Sequence, residues 1–219
     1  MDYLSVTKKM TGRTWNNHFR FIKTFFNYLV DRDLIDKNPF NRIKRQTELK
    51  STRNYYFTDE EFERLNEYLI EHDKPLYYFN MFIYYLAMRQ KEIASMKIAD
   101  IDFEKWNIYV GSKVSKNKTG SSIVIPNNFR QILTDMSLNQ YPKDWFIFSV
   151  GCVPGPNFYK SFDKLSSRAK VAIRLLNINE DCTQYSYKHT AVIRLYYATG
   201  NDIYAVSAHC RHSDIGVTQ

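Results

Sequence analysis

The chain has 219 residues, 16% of them aromatic, with only 7 Gly and 6 Pro. That composition supports one or two packed domains and excludes a fibrous or low-complexity protein. A formal charge of +8 points to a polyanionic partner, nucleic acid ahead of a membrane surface. The three cysteines are odd in number and lie in no CxxC spacing, which suits free thiols in a cytoplasmic protein better than a secreted disulfide frame. No apolar run approaches the roughly 18 residues of a membrane span, so no membrane partner is expected.

In chain order, Thr14 to Val30 carries Trp15, Phe19, Ile22, Phe26 and Leu29 at spacings of three and four, the pattern of an amphipathic helix. Asn38-Pro39 closes the turn that follows. One helix and a tail cannot bury a core of their own, so residues 1–46 are read as the end of a domain whose earlier helices are absent, or as a part that docks on the rest. The stretch from Arg42 to Arg53 is dense in Lys and Arg, with Glu48 its one acid. It is read as a solvated basic connection, the linker proper being 47–56, with Arg42, Lys44 and Arg45 placed to touch a phosphate backbone.

The second domain, 57–219, opens on Thr58-Asp59-Glu60-Glu61, a capping-box pattern ahead of Phe62, Leu65 and Leu69. A long apolar and aromatic helix follows from Leu76 to Leu86 and runs into Ala87–Met96 (AMRQKEIASM). An arginine at the mouth of such a run is costly to desolvate unless an anion meets it, and Glu92 stands one turn on from Arg89. The period then changes. Ile101 with Phe103, Ile108 with Val110, and Ile123 with Ile125 alternate as short strands. The second connection, Gly111 to Ser121, bears Lys113, Lys116 and Lys118. Helices are expected at 129–136, 161–176, 186–199 and 202–210, the third of them ending at Gly200 as a C-cap. The basic helix 161–176 includes Arg168, which is assigned to the DNA-facing side. His209, Cys210 and His212 lack a partner pair at finger spacing, so no metal site is expected.

Arg89 with Glu92, Lys118-Thr119-Gly120, Tyr185-Ser186-Tyr187-Lys188-His189-Thr190 and Arg211-His212-Ser213-Asp214 lie in loops or near helix ends, and their types suit phosphate handling. In this order and spacing they resemble the motifs of the tyrosine recombinases, the phage-integrase family, over nearly the whole chain. The resemblance implies a mainly α (α+β) fold: a DNA breaking-rejoining catalytic domain with a small three-stranded antiparallel sheet, preceded by part of a SAM-like core-binding domain.

It also implies a site-specific DNA recombinase, an integrase or transposase of a mobile element working through a 3′-phosphotyrosine. Arg89, Lys118, Lys188 and His212 would then be catalytic, and Glu92, His189 and Tyr185 would support them. Double-stranded DNA would be the partner, held by a homotetramer, with no cofactor and no metal. The setting would be cytoplasmic, at the bacterial nucleoid. Two residues depart from the family pattern: Lys188 stands where an arginine is usual, and Tyr185 where a histidine is usual. The nucleophilic tyrosine is expected shortly after Gln219, outside this chain. The alternative is a DNA-binding protein that keeps the fold without the chemistry; a nicking enzyme of the type IB topoisomerase kind is a weaker third.

Overall fold

The computed structural model describes residues 3, 8–48, 55–111, 120–158, 163–211 and 215–217. The chain divides into two compact units, Met1–Thr52 and Arg53–Gln219.

In the first unit, helix α1 spans Gly12–Val30, two residues earlier than the apolar pattern suggested. Thr11 caps it by accepting from the Thr14 backbone N–H. Trp15 and Phe19 are buried and stack with ring centres 5.3 Å apart, and Phe40 folds back onto Phe26 at 5.0 Å. Asn38, ahead of the proline, is buried because its side chain closes the turn. It donates to Lys23 O (2.9 Å) and Asn27 Oδ1 (2.6 Å) and accepts from the Phe40 N–H (2.8 Å). Of the stretch read as a solvated connection, residues 42–48 are described, and Gln46 and Glu48 tie them to α1. Asn16 donates to Gln46 O and Glu48 Oε1 (both 2.8 Å), and its carbonyl accepts the Gln46 N–H (2.9 Å). A side chain at Gly12 would meet Thr47 O at 2.3 Å, so this close crossing requires glycine. Arg42, Lys44 and Arg45 remain exposed.

The second unit is built around α3 (Lys74–Leu86), which buries Leu76, Phe79, Asn80, Met81, Phe82, Ile83 and Leu86. Ahead of it lies α2 (Asp59–His72), whose Thr58–Glu61 capping box is complete. Asp73 caps α3 by accepting from the Leu76 N–H, and Pro75 sits in its first turn, where its missing N–H costs nothing. After α3 come the short α4 (Gln90–Ala94) and the sheet β1 (Ile101–Asp102), β2 (Asn107–Val110) and β3 (Ser121–Val124). The sheet is antiparallel in the order β1-β2-β3, with Ile101 opposite Ile108 and Ile108 opposite Ile123. That register puts the isoleucines on the core face.

Four helices complete the unit: α5 (Asn127–Asp135), α6 (Asp163–Leu175), α7 (Ser186–Ala198) and α8 (Ile203–Cys210). Phe79 and Phe82 of α3 meet Phe148 at 5.0 and 5.2 Å, and Phe82 meets Phe129 of α5 at 5.0 Å, all edge-on. On the other side of α3 lies α7. Its Tyr187 is fully buried between Phe57 and Phe62, and its hydroxyl donates to Asn66 Oδ1 at 2.8 Å. Gly200, at φ 67°, ends α7 in the left-handed region as expected. Ala87, Val206 and Cys210 are buried in a small separate cluster, which therefore joins the end of α3 to α8, and Val192 and Leu195 of α7 pack against it. Three helices thus converge at the mouth of α3.

Candidate active site

Helix α3 stops at Ala87, which adopts a left-handed backbone (φ 47°) that turns the chain out of the core. Two residues on, Arg89 is extended and precedes α4. Glu92, one turn into α4, reaches back and accepts from the Arg89 backbone N–H (2.9 Å) and from Arg89 Nη1 (3.1 Å). Its side chain is only 1% exposed. A second guanidinium meets the same carboxylate: Arg211 Nη2 donates to Glu92 Oε2 at 2.9 Å. Burial pushes the Glu92 carboxyl up, but the Arg89 N–H and the two guanidiniums outweigh it and leave the group below the usual carboxylate range. The Arg89–Glu92 pairing expected from sequence is present; the role of Arg211 lay outside that reading.

Lys188, in the first turn of α7, is buried, and its ammonium donates to Ala87 O at 2.8 Å. Burial lowers its pKa, and the positive charges of Arg89 and Arg211 lower it further. Tyr185, just ahead of α7, is 44% exposed and stands edge-on to His189, ring centres 5.1 Å apart. Burial raises the Tyr185 phenol, with Arg89 partly opposing, while burial and neighbouring Lys188 keep His189 below its usual range. Both effects favour the neutral imidazole at His189.

A buried amide network links the starts of α4 and α7. Gln184 is 1% exposed. It donates to Asn80 Oδ1 on α3 (2.7 Å) and accepts from Gln90 Nε2 (2.5 Å) and Ser166 Oγ (3.1 Å). Gln90 follows Arg89 and Gln184 stands one turn before Lys188, so the network fixes the separation of those two cations. Sequence reading missed it, because four polar residues far apart in the chain carry no local signal.

Lys118, Lys113, Lys116 and His212 lie outside the described residues. The connection bearing the lysines leaves β2 at Gly111 and returns at Gly120, where an added side chain would meet the Tyr109 hydroxyl at 2.7 Å. Ser121, the first residue of β3, accepts a long bond from Arg211 Nη1 (3.4 Å). Arg168 has a different place from the one expected. Its Nε donates to Asp73 Oδ2 at 2.8 Å and a second nitrogen meets Asp73 Oδ1, so it staples α6 to the cap of α3. The fork onto Asp73 engages donors that a DNA phosphate would otherwise take, whereas the expected DNA contact rests on the basic character of the helix.

Arg89 and Arg211 thus share one carboxylate, with the buried Lys188 ammonium near them, and the surplus positive charge suits an anion. Residues 55–219 match the phage integrase family model, and the chain belongs to that family. A tyrosine recombinase XerC-like protein of Caldanaerobacter subterraneus subsp. tengcongensis is 27% identical over 246 residues, covering 90% of this chain and 59% of that protein. Tyrosine recombinase XerC of Pediococcus pentosaceus is 30% identical over 103 residues, covering 44% of this chain and 33% of its own. The chain therefore spans less than two thirds of these relatives' length. Among solved structures, the Tn1549 transposon integrase in complex with transposon right end DNA superposes with a TM-score of 0.73 at 18% identity, covering 98% of this chain and 76% of that one. A lambda integrase dimer bound to a COC′ core site gives 0.70 at 14% identity, covering 91% and 71%. The fold, mostly helical with a small three-stranded antiparallel sheet, is that of the tyrosine recombinase catalytic domain.

Proposed function

We propose that the chain is the catalytic portion of a site-specific DNA recombinase that cuts and rejoins duplex DNA through a 3′-phosphotyrosine. The convergence of Arg89 and Lys188 at the mouth of α3, with Glu92 holding Arg89, carries this reading. Arg89 and Lys188 bind non-bridging oxygens of the scissile phosphate, and His212 donates to one of them. A tyrosine supplied from outside these 219 residues attacks phosphorus through its phenolic oxygen, whose proton is released to solvent. The bond to the 5′ oxygen breaks, and Lys118 gives that oxygen its proton. Tyr185 and His189 support the phosphate side of the site as neutral donors. The bond energy stays in the phosphotyrosine, so neither a nucleotide cofactor nor a metal is needed.

Exposed Arg42, Lys44 and Arg45 contact the backbone of double-stranded DNA, with Lys113 and Lys116 on the sheet connection. Four protomers assemble on two DNA sites, in the cytoplasm at the nucleoid. The domain division that goes with this reading is a core-binding part over 1–46, a linker over 47–56 and a catalytic part over 57–219.

Covalent capture tests the proposal. The complete product of the reading frame that encodes this chain is incubated with nicked duplexes drawn from the DNA flanking its gene and resolved on a denaturing gel. An adduct that disappears with Arg89→Ala is expected. Site-specific binding with no adduct would mean a binding protein that keeps the fold without the chemistry.

A further inference from the structure

Arg211 follows α8 as a left-handed residue, φ 55°, a position helices usually give to glycine. Strain of this kind persists where the surroundings over-determine it, and it gathers at functional sites. The surroundings here are polar and mostly buried. The Arg211 side chain is 16% exposed, its Nη2 shares Glu92 with Arg89, and its bond to Ser121 is long. Its Nε is buried and meets no acceptor among the described residues.

One carboxylate therefore faces two guanidiniums and a nearby buried ammonium. A desolvated excess of positive charge is costly unless an anion joins it. Lys188 answers that need poorly. It is a point charge, and one of its three N–H bonds is already spent on Ala87 O. A guanidinium instead presents planar, forked donors that match two phosphate oxygens.

We propose that Arg211 is a third phosphate-binding cation of this site, supplying the forked contact that Lys188 cannot make. The proposal rests on the cluster being a phosphodiester site. Glu92 then serves as a common anchor, orienting Arg89 from one side and Arg211 from the other. The bond to Ser121 ties Arg211 to the first residue of β3.

The test is the salt dependence of binding to a fluorescent mixed-sequence duplex, measured for the 219-residue chain and for Arg89→Gln, Arg211→Gln and Arg211→Lys. Each neutralised phosphate contact contributes about 0.9 to the log–log slope. Arg89→Gln and Arg211→Gln are each expected to lower the slope by about that amount. Arg211→Lys should keep the slope and lose about tenfold in affinity, because the charge stays and the fork goes. A normal slope for Arg211→Gln beside a reduced one for Arg89→Gln would make Arg211 a strut and overturn the proposal alone. Unchanged slopes for both would remove the phosphate reading of the whole cluster. If Arg211→Gln fails to fold by circular dichroism, the lysine variant decides: wild-type affinity there counts against the forked contact.

Discussion

Glu92 is nearly inaccessible yet charged, and only its partners make that tolerable. Its folded pKa lies below the unfolded value, so the stability it contributes is complete above the ordinary carboxylate range, about 4.3. That stability is lost as pH falls through the folded value. Glu92→Gln should therefore destabilise the second unit by about 2–4 kcal/mol at pH 7, since it leaves two partly buried guanidiniums facing an amide. The gap between wild type and variant should close in acid, where Glu92 is itself neutral. Urea midpoints across pH 3–7 would read this, and a constant gap would mean that charge is not what Glu92 contributes.

Lys188 runs the other way. Burial favours its neutral form, so its pKa in the fold is below the unfolded value. Its proton, and with it its hold on an anion, is lost at a lower pH than an exposed lysine would allow. DNA affinity should decline on the alkaline side before ordinary lysines titrate, and Lys188→Arg should flatten that decline. Anisotropy titrations between pH 7 and 10 would show the difference; identical profiles would place Lys188 away from the DNA.

Among the elements, those whose pattern is local were legible in the sequence. The capping box at Thr58, the 3.6-residue stripe of α1, the alternation of the three strands and the Gly200 stop are each written within a few residues of where they act. For Thr58→Ala the expected loss is about 1 kcal/mol, read from the denaturation midpoint, because it unpairs the Glu61 N–H. What the sequence concealed is held by partners far apart in the chain. Asn16 straps Gln46, Arg168 clamps Asp73, and Gln184 joins Asn80 to Gln90. Arg211 was hidden for a related reason: the motif around it drew attention to His212, and only the folded chain brings it to Glu92. The Gln184 network offers the sharpest check on how α4 and α7 are held together. Gln184→Leu would leave the Asn80 amide oxygen without its donor and Gln90 with Ser166 alone, at a cost of about 1–3 kcal/mol. DNA affinity should weaken beyond what lost stability explains, since Arg89 and Lys188 flank the network. Intact binding by a folded Gln184→Leu protein would show that the two cations need no such brace.

Over the whole molecule, charge is divided unevenly between the two units. Residues 1–52 hold 11 Lys and Arg against 5 Asp and Glu, while residues 53–219 hold 20 against 18. Three quarters of the net charge thus resides in the smaller unit, where Arg42, Lys44 and Arg45 are exposed. The larger unit has its own aromatic core, capped helices and closed sheet register, so residues 53–219 are expected to fold alone with a cooperative urea transition. If affinity for duplex DNA comes mainly from released counterions, the two units should contribute in proportion to the cations each lays on phosphate. Residues 53–219 alone should then show a smaller salt slope than the full chain, short by the share of Arg42, Lys44 and Arg45, while retaining the dependence on Arg89. A slope that survives removal of residues 1–52 would mean that the basic stretch from Arg42 to Arg45 does not lie on the backbone. The phosphate contacts would then belong to the cluster around Glu92 and the sheet connection beside it.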